Sequence, residues 1–456
     1  MQRRPARRRR LATLLALCLY GVACTTPLPP LPEARPLGRG LDPASAAGFD
    51  RTPAGEFQEP EGTLTLPVVL SAALRNSPRL EAFDWQVRAD EARALQAGLL
   101  PNPSLAIEGE NFAGGGDFTG YDVAETTLFL GQLVELGGKR AARRRMALLE
   151  RELSGWDYEA ARLDVLTETT QLFVAALGAR RRLELANEIL RVSKESLAAT
   201  RARVRAGAAS SVEEARSEVA VATMEVERAR RELELEAARS ALASAWAGTP
   251  RFGELDGDLS ALRALPSLEQ VAAALAENPD LARWTSERIR RETEISLARA
   301  GAIPDVTAGL GVRHFNESDD AALVFAVEIP FPVFDRSQGR VAAAHAEARR
   351  ADALARDARL RLSRELLGAH AAASAAHQSA RTLEERVLPQ AQAAFERTRQ
   401  AYRKGLFRLV DVLDAQRTLF DAQTEYVNAL ERYHTTRAEL ERLAGSPLDD
   451  LETRSQ

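Results

Sequence analysis

Two aspartates near the end of the chain have the type and spacing that point most directly to chemistry. Asp411 and Asp414 lie in the segment YRKGLFRLVDVLDAQRTL, residues 402–419, shortly after a glycine. Residues three apart on a helix share one face. Several copies of this face around an axis would converge into a ring of carboxylates, which favours cations. The competing interpretation is structural, because the helix dipole also favours aspartate in the first turn of a helix.

Little else in the sequence predicts chemistry. The five histidines are scattered, and His370 and His377, two turns apart on one helix face, have no third metal ligand at a useful spacing. No phosphate-binding loop or nucleophile motif is present. The net charge is only -4, and arginines alternate with acidic residues in the pattern of solvated helix faces. We therefore predict a protein that is not an enzyme, uses no metal or cofactor and binds no nucleic acid.

The N-terminus has the layout of a bacterial export signal. A basic start, MQRRPARRRR, precedes the apolar run LATLLALCLYGVAC, which is too short to span a bilayer as a mature helix. The run ends at Cys24 after small residues and resembles a lipoprotein cleavage site, at which this thiol is acylated. An ordinary signal cut near a cysteine is the alternative. We predict a signal peptide over residues 1–23 and a lipid-anchored, proline-rich linker over residues 24–61.

The rest of the chain contains the same unit twice. LSAALRNSPRLEA, residues 70–82, recurs as VAAALAENPDLAR, residues 271–283, and further paired segments follow in the same order. Self-similarity at a constant offset indicates a duplicated architecture. We predict a first repeat over residues 62–258, a second repeat over residues 259–448 and a tail over residues 449–456.

Each repeat contains a very long predicted helix. Apolar or small residues recur every three or four positions over residues 141–206 without an intervening proline, as in coiled coils. At 1.5 Å per residue this helix would extend about 100 Å, and we predict an equally long one over residues 340–404. Gly207 and Gly405 predict turns at the far tip, since glycine readily ends a helix in the left-handed conformation. Shorter helices are predicted over residues 208–247 and 267–300.

Only four stretches alternate apolar and polar residues with period two. They predict strands over about residues 103–112, 122–134, 305–314 and 322–333. Turn-rich loops join them into one hairpin per repeat. Strands of about ten residues with an apolar face have the length that crosses an outer membrane, although a small soluble sheet is the alternative. Four strands cannot close a barrel, and unpaired edges in lipid cost several kcal/mol per group, so several copies must share one barrel.

The order of hairpin, long helix, glycine tip and return helix, twice over, resembles the TolC family of outer-membrane efflux proteins. The segments GGKRAARRR, PFPVFDRSQGR and YRKGLFRLVDVLDAQRTLFDAQTEYVNAL together carry this resemblance. With Cys24, they look most like members that serve heavy-metal and drug pumps of the resistance-nodulation-division type. The resemblance implies a mainly α fold with a transmembrane β-barrel contribution, in which a homotrimer forms one continuous tube.

The resemblance also implies a function and partners. It predicts a passive, gated channel in outer-membrane lipid, with a periplasmic helical extension that docks an adaptor protein and an inner-membrane transporter. A type I secretion exit duct would have the same fold. A periplasmic coiled-coil adaptor or scaffold lipoprotein is a further alternative, but it leaves the repeat and the alternating strands without a purpose. The sequence does not identify the transported solute, because a passive conduit need not bind what passes through it.

Roles for residues at the tip follow from the same resemblance. The segment VDVLDA, residues 410–415, is similar to the family's aperture segment, which implies that Asp411 and Asp414 ring the periplasmic opening. Tyr402 falls where the family has a tyrosine that helps to hold the aperture shut, although it could simply pack between helices. Arg408 lies one position after the place of the family's basic partner. Gly207 and Gly405 would present the adaptor-docking surface.

The two repeats differ at these positions. Glu213 takes the place of Asp411 in the first repeat, and Arg216 takes the place of Asp414. We therefore expect the repeats to be inequivalent at the opening.

Overall fold

The computed structural model describes residues 59–454. Cys24, the predicted signal peptide and most of the predicted linker lie outside this range. The described chain is mainly helical, with a four-stranded antiparallel sheet formed by both repeats. None of the helices in residues 59–454 combines the length and apolarity needed to cross a membrane.

The first repeat is dominated by one helix, α3, of 67 residues. Gly138 precedes it, Gly207 stands two residues after its end, and no proline interrupts it, so nothing in its sequence ends the helix early. The elements of this repeat are β1 (Leu64–Thr65), α1 (Leu66–Asn76), α2 (Pro78–Ala97), β2 (Ser104–Glu110), β3 (Glu125–Val134), α3 (Lys139–Arg205) and α4 (Ser211–Ser244).

The second repeat has the same order of elements, which confirms the predicted duplication. Its opening strand β4 pairs in parallel with β1. The elements are β4 (Leu255–Asp256), α5 (Leu268–Ala274), α6 (Pro279–Ala300), β5 (Val306–Phe315), β6 (Asp320–Glu328), α7 (Gln338–Thr382), α8 (Leu388–Arg403), α9 (Leu409–Ala444) and α10 (Leu448–Arg454).

The predicted helix over residues 267–300 is broken, so that prediction was wrong in its continuity. Helix α5 ends after seven residues, a single 3₁₀ turn follows, and α6 begins at Pro279. The residue before a proline is disfavoured in the α region, and Asn278 accordingly has ψ 133°. Its side chain stabilises the break, because it accepts a hydrogen bond from the Asp280 amide and donates to the carbonyls of Arg442 and Leu443.

The second long helix also differs from the prediction. Instead of one helix over residues 340–404, α7 and α8 are joined by a π-helical turn, Leu383–Val387. Pro389 explains the π turn, since it has no amide proton for the carbonyl four residues earlier and its ring clashes with that carbonyl. The Leu388 amide instead donates to the Leu383 carbonyl, five residues back. A cavity of about 620 Å³ lies nearby, with Leu388 and Pro389 in its wall.

The last strand is shorter than predicted. We expected it to continue to residue 333, but β6 ends at Glu328. Pro330 and Pro332 follow, and proline cannot donate the amide hydrogen bond that a strand ladder requires. The side chains of Phe331 and Phe334 in this segment are almost fully exposed.

The sheet has the order β2-β3-β5-β6, so the hairpins of the two repeats meet at its centre. One face carries exposed apolar side chains in register across all four strands: Ile107, Leu128, Val312 and Leu323. The other face carries Arg313, which forms ion pairs with Glu110 at 3.0 Å and Glu125 at 2.9 Å. Strands β2 and β6 each have one unpaired edge.

The helices form a layer that is also open at two edges. Towards the tip, α4 packs on α3, α3 on α9, and α9 on α8. Towards the sheet, α2 packs on α3, α3 on α6, and α6 on α7. The first repeat therefore supplies one edge of the layer, α2 and α4, and the second repeat supplies the other, α7 and α8.

Two related apolar cores hold the middle of the molecule. The first packs Trp246, Phe173 and Phe252 against the β1–β4 pair. The second packs Leu440 and Leu362 between α5, α7, α9 and α10. These cores hold the middle sections of α3 and α7, which lead on to the tip.

Candidate functional site at the helical tip

The helical tip comprises the turns at Gly207 and Gly405 and the helix ends that flank them. Both glycines have positive φ, 72° and 77°. In both turns the residue after the glycine donates to a carbonyl five residues back: the Ala208 amide to Arg203 at 2.8 Å, and the Leu406 amide to Ala401 at 3.0 Å. This pattern is a Schellman motif, which requires the left-handed conformation that glycine adopts at least cost.

Asp411 stabilises the start of α9. Its carboxylate accepts a hydrogen bond from the Arg408 amide at 2.9 Å, and the Arg408 guanidinium lies 3.8 Å from the same oxygen. The Arg408 side chain is otherwise 83% exposed. Asp411 thus fulfils the structural interpretation, since it caps the helix start, while its side chain is still partly open to solvent.

Asp414 has a different environment. It lies one turn further along the same helix, and its side chain is exposed. Among the described residues, no hydrogen bond or ion pair engages its carboxylate; only its backbone carbonyl is used, as the acceptor for Thr418. A carboxylate that no structural contact requires is free to act on solutes or on another chain.

Tyr402 lies in the contact between the two repeats. It is 4% exposed, and its hydroxyl lies 3.2 Å from the Thr200 hydroxyl on α3. The Thr200 hydroxyl donates to the Ser196 carbonyl, so it accepts from Tyr402. Ser217 on α4 donates to Thr200 as well, at 3.3 Å. A chain of three hydroxyl groups therefore connects α8, α3 and α4.

Arg203 reinforces this contact and was not anticipated from the sequence. Its guanidinium lies 4.4 Å from the centre of the Tyr402 ring and donates to the Tyr402 carbonyl at 2.9 Å and the Ala208 carbonyl at 3.2 Å. The Arg203 side chain therefore contacts the end of α8 and the turn that follows α3. The only sequence signal was an arginine in the last turn of a helix, where cations are generally favoured.

A second polar contact between the repeats was also missed. Gln416 on α9 donates to the Ser193 hydroxyl on α3 at 2.7 Å, and both side chains are buried. Two polar residues at buried positions in different helices cannot be matched from the sequence without knowing which helices are neighbours.

The tip of the first repeat is built differently. Ser210 directly precedes helix α4, and its hydroxyl accepts a hydrogen bond from the Glu213 amide at 3.3 Å. A serine thus caps α4, whereas the carboxylate of Asp411 caps α9. Arg216, in the place of Asp414, is exposed and has no side-chain partner among the described residues. The two tips share a backbone turn but present opposite charges at the position of Arg216 and Asp414.

Comparison with known proteins identifies the family. A family model described as outer membrane efflux protein matches residues 69–248 and 271–446. The chain belongs to the outer membrane efflux protein family. Both matches lie within the duplicated unit, and together they include both tips.

Individual members of the outer membrane efflux protein family are similar over most of their length. The cobalt-zinc-cadmium resistance protein CzcC of Cupriavidus metallidurans is 33% identical over 85% of this chain and 91% of the relative. The pyoverdine export outer membrane protein OpmQ of Pseudomonas putida is 25% identical over 90% of this chain and 92% of the relative. The crystal structure of CusC superimposes with a TM-score of 0.72 at 19% identity, covering 84% and 92% of the two chains.

Membership of the outer membrane efflux protein family confirms the resemblance predicted from the sequence. It also confirms the fold class, a helical tube with a β-barrel contribution, and the function as an outer-membrane efflux channel. Channels of this family act as trimers with a periplasmic adaptor and an inner-membrane transporter. Acylation of Cys24, the repeat boundaries and the roles of the tip residues stay predictions.

Three of the five histidines of this efflux protein contact an aromatic ring or a backbone carbonyl of the fold. His370 lies 3.1 Å from the Pro266 carbonyl, and His377 packs against the Tyr433 ring. Nε2 of His434 lies 2.8 Å from the Leu259 carbonyl, and burial lowers the pKa of this imidazole. Within residues 59–454, no group of three histidine, cysteine or acidic side chains is arranged to hold a metal ion.

Proposed function

We propose that this protein is the homotrimeric outer-membrane channel of a tripartite pump that exports divalent transition-metal cations. The pump would pair it with a periplasmic adaptor and an inner-membrane transporter of the resistance-nodulation-division type. In this proposal the channel is passive, and its periplasmic opening is ringed by Asp411 and Asp414. Lipid at an acylated Cys24 would hold it to the outer membrane in addition to the barrel.

The unpaired edges of the sheet carry the assembly part of the proposal. Strands β2 and β6 expose backbone groups that lipid cannot satisfy, and one face of the sheet is apolar. Pairing β6 of one copy with β2 of the next preserves the antiparallel order. Three copies would close twelve strands, with the Arg313 face lining the water-filled interior and the Ile107 face in lipid.

The carboxylate of Asp414 is the observation that supports an aperture role. It is exposed, unpaired in the described chain and one turn from Asp411, which caps the same helix start. In a trimer these two positions supply six carboxylates. Rings of carboxylates attract cations and raise their local concentration.

The cargo is inferred from the relatives. The similarity to CzcC is higher than the similarity to OpmQ, and CzcC confers resistance to cobalt, zinc and cadmium by its name. Multivalent metal cations are also the solutes on which an acidic opening acts most strongly.

Planar-bilayer recordings of the purified protein would test this function. We expect ion channels with cation selectivity and with voltage-dependent block by Co²⁺ or Zn²⁺. Asp414→Asn should lower the selectivity and weaken the block without loss of stability, since this carboxylate caps nothing. Asp411→Asn should do the same at little cost in stability, because the side-chain oxygen of asparagine can still accept the hydrogen bond from the Arg408 amide.

Asp421→Asn is the matched control for the bilayer experiment. Asp421 lies two turns further along α9 on the same face as Asp414, and its side chain is 66% exposed. Its neutralisation should have a clearly smaller effect than that of Asp414. Channels whose selectivity and metal block are unchanged in Asp414→Asn and Asp411→Asn alike would refute the aperture role. Failure of the wild-type protein to form channels would refute the function itself.

A further inference from the structure

The segment that connects the two repeats has little structure of its own. Residues 257–266, here called the connector strap, lead from β4 to Ser267, the cap of α5, and form neither helix nor strand. Among the described residues, one backbone–backbone hydrogen bond both begins and ends within the strap, from the Leu262 amide to the Ser260 carbonyl at 2.9 Å. Most residues of the strap are exposed. Segments with few backbone hydrogen bonds and high exposure are the least stable parts of a fold, so contacts from the helices must hold the strap in place.

Side chains of the second repeat hold the strap by its carbonyl oxygens. Three such contacts come from α7 and α9: His434 with Leu259 at 2.8 Å, Tyr433 with Arg263 at 2.8 Å, and His370 with Pro266 at 3.1 Å. A carbonyl oxygen only accepts hydrogen bonds, so the imidazole nitrogens and the hydroxyl are the donors. Because two of the three donors are imidazoles, proton uptake near neutral pH can change how the strap is held.

The imidazole of His434 has surroundings that disfavour a positive charge. It is half-buried beneath the strap, and its ring packs edge-to-face against the Tyr433 ring with 5.0 Å between centroids. Burial is the main cause that lowers the pKa of His434, and the Arg437 guanidinium, one turn further along α9, lowers it as well. The hydrogen bond to the Leu259 carbonyl and the carboxylate of Asp258 act in the opposite direction but do not offset these effects. The closed strap therefore favours the neutral imidazole.

Charged groups on the other neighbouring elements do not reverse this preference. On α10, Asp449 forms ion pairs with Arg437 at 2.6 Å and with Arg263 of the strap. On α7, His377 packs against the aromatic ring that His434 also contacts. Because two guanidinium groups share Asp449, its carboxylate is not free to pair with a protonated His434.

The strap also has room to move. Its first residues, Gly257, Asp258, Leu259 and Ser260, form part of the wall of the cavity of about 620 Å³, and residues of α3, α8 and α9 line the rest. The Leu259 side chain is half-buried and packs against the apolar clusters on both sides of the strap. With a cavity below and solvent above, the strap can lift without displacing a helix.

We propose that the connector strap is held closed by the neutral form of His434 and opens when this imidazole takes up a proton. The Arg180 guanidinium on α3 donates to the Leu255 carbonyl, two residues before the strap, so the closed strap links α3 to α9. Opening would loosen this link between the repeats and bring the imidazole into water. The strap is independent of the solute that the channel carries.

The sign of the pH effect follows from the shift. Above the ordinary imidazole value of 6.5, His434 is neutral whether the strap is closed or open, so the closed state keeps its full stability. As the pH falls below that value, the open state binds the proton more readily and the closed state loses stability. The loss is complete once the pH is below the lowered pKa of the closed state.

Hydrogen–deuterium exchange of the full-length protein in detergent tests the strap directly. After correction for intrinsic exchange, we expect the opening constant of residues 259–265 to be about five- to tenfold larger at about pH 5.5 than at about pH 7.5, since a solvated imidazole is about tenfold more protonated than neutral one unit below its pKa. His434→Gln keeps a neutral donor for the Leu259 carbonyl, so it should retain the protection at the higher pH and lose most of the pH dependence. His345→Gln is the matched control, because His345 lies near the start of α7 beside Arg299, and it should behave as wild type.

A second variant separates the contact from its titration. Tyr433→Phe removes a hydroxyl contact with the Arg263 carbonyl and leaves His434 in place. It should therefore increase the opening of the strap at both pH values and keep the ratio between them. Amides of α3 should stay protected in every variant, which identifies a variant that has lost its fold.

Three results would overturn the proposal. One is equal exchange of the wild-type strap at the two pH values, a comparison that needs no variant. Another is a pH dependence that persists unchanged in His434→Gln. The third is a pH dependence that disappears in His370→Gln alone, which would assign the proton to the other imidazole. Exchange in the strap does not depend on metal conduction, so any of these results would leave the proposed function standing.

Discussion

Each repeat has a long helical segment that leads to the tip: α3 in the first repeat, and α7 with α8 in the second. The two segments correspond in sequence position but differ in continuity. Helix α3 runs for 67 residues without interruption, whereas α7 and α8 are separated by a π turn beside Pro389. When the tip glycines are aligned, the position of Pro389 corresponds to Arg191 in α3. One proline has thus divided the long helical segment of the second repeat at a point where α3 of the first repeat stays intact. The second repeat carries both the interrupted helix and the tip with Asp411 and Asp414.

The neighbourhood of the π turn shows that this interruption is accommodated by the surrounding side chains. Burial raises the pKa of the Tyr426 hydroxyl to about 12, and the carboxylate of Glu384 in the π turn adds to this rise. A neutral phenol therefore faces the turn throughout the physiological pH range. The difference between α3 and the α7–α8 segment teaches that duplication preserved the path of the chain, while single residues set where a helix is interrupted.

Exchanging the residue types at the aligned positions should give the largest effect. Arg191→Pro should lower the stability of the protein by about 3 kcal/mol, because it removes an interior helical hydrogen bond and clashes with the preceding turn. Arg191→Ala is the control and should cost under about 1 kcal/mol, since it loses only a surface ion pair with Glu195. Thermal unfolding followed by circular dichroism in detergent would measure both.

The converse change sharpens the same comparison. Pro389→Ala restores an amide proton, so residues 383–387 should exchange deuterium more slowly in the variant than in the wild type. Equal exchange in the two proteins would mean that the π turn has another cause, and a harmless Arg191→Pro would mean that α3 tolerates the same interruption.

The tip glycines should behave alike, because both turns have the same backbone conformation. Gly207→Val and Gly405→Val should each cost about 1–2 kcal/mol from the strain of a left-handed residue, since no atom would clash with the added Cβ. Gly368→Ala is the opposite control. This helical glycine also has open space around it, and alanine there should stabilise by about 0.5–1 kcal/mol. Unequal costs at the two tips would show that one turn is held by contacts beyond the protomer.

The smallest effect concerns the hydroxyl contact between the repeats. Tyr402→Phe should cost about 1 kcal/mol, as expected for one buried hydrogen bond. Combined with Thr200→Val in a double-mutant cycle, it should show a coupling of about 0.5–1.5 kcal/mol. Thr418→Val removes a hydroxyl that bonds only within its own helix, and it should not couple to Tyr402. Zero coupling between Tyr402 and Thr200 would show that their hydrogen bond does not stabilise the contact between the repeats.

Local patterns in the sequence were sufficient for the duplicated fold. The heptad spacing predicted α3 within a few residues of its ends, and period-two alternation located the four strands of the antiparallel sheet but not the short strands β1 and β4. The errors occurred at prolines, because Pro279 and Pro389 act on the backbone of preceding residues and not on the apolar period. The sequence also showed that the acids at 411 and 414 share a face, but it could not show that one is engaged as a cap and the other is not.

Contacts between repeats were the part that the sequence could not supply. Thr200, Arg203 and Ser193 gain their roles only because α3 lies beside α8 and α9. These partners are about two hundred residues away in the chain, and their polar types are common on any solvated helix. Knowledge of the helix order is needed before such pairs can be recognised.

The central pairing of the sheet has a consequence for how the protein is made. Strand β3 forms its ladder with β5, and the paired residues Glu125 and Phe315 are separated by almost half of the chain. Contacts of such high sequence separation form slowly, because a large loop must close first. The first hairpin must therefore remain without its neighbour until the chain has been exported through β5 of the second repeat. During this interval its exposed strand edges are prone to aggregation, so a periplasmic holding chaperone should improve the yield of folded protein more than faster synthesis does.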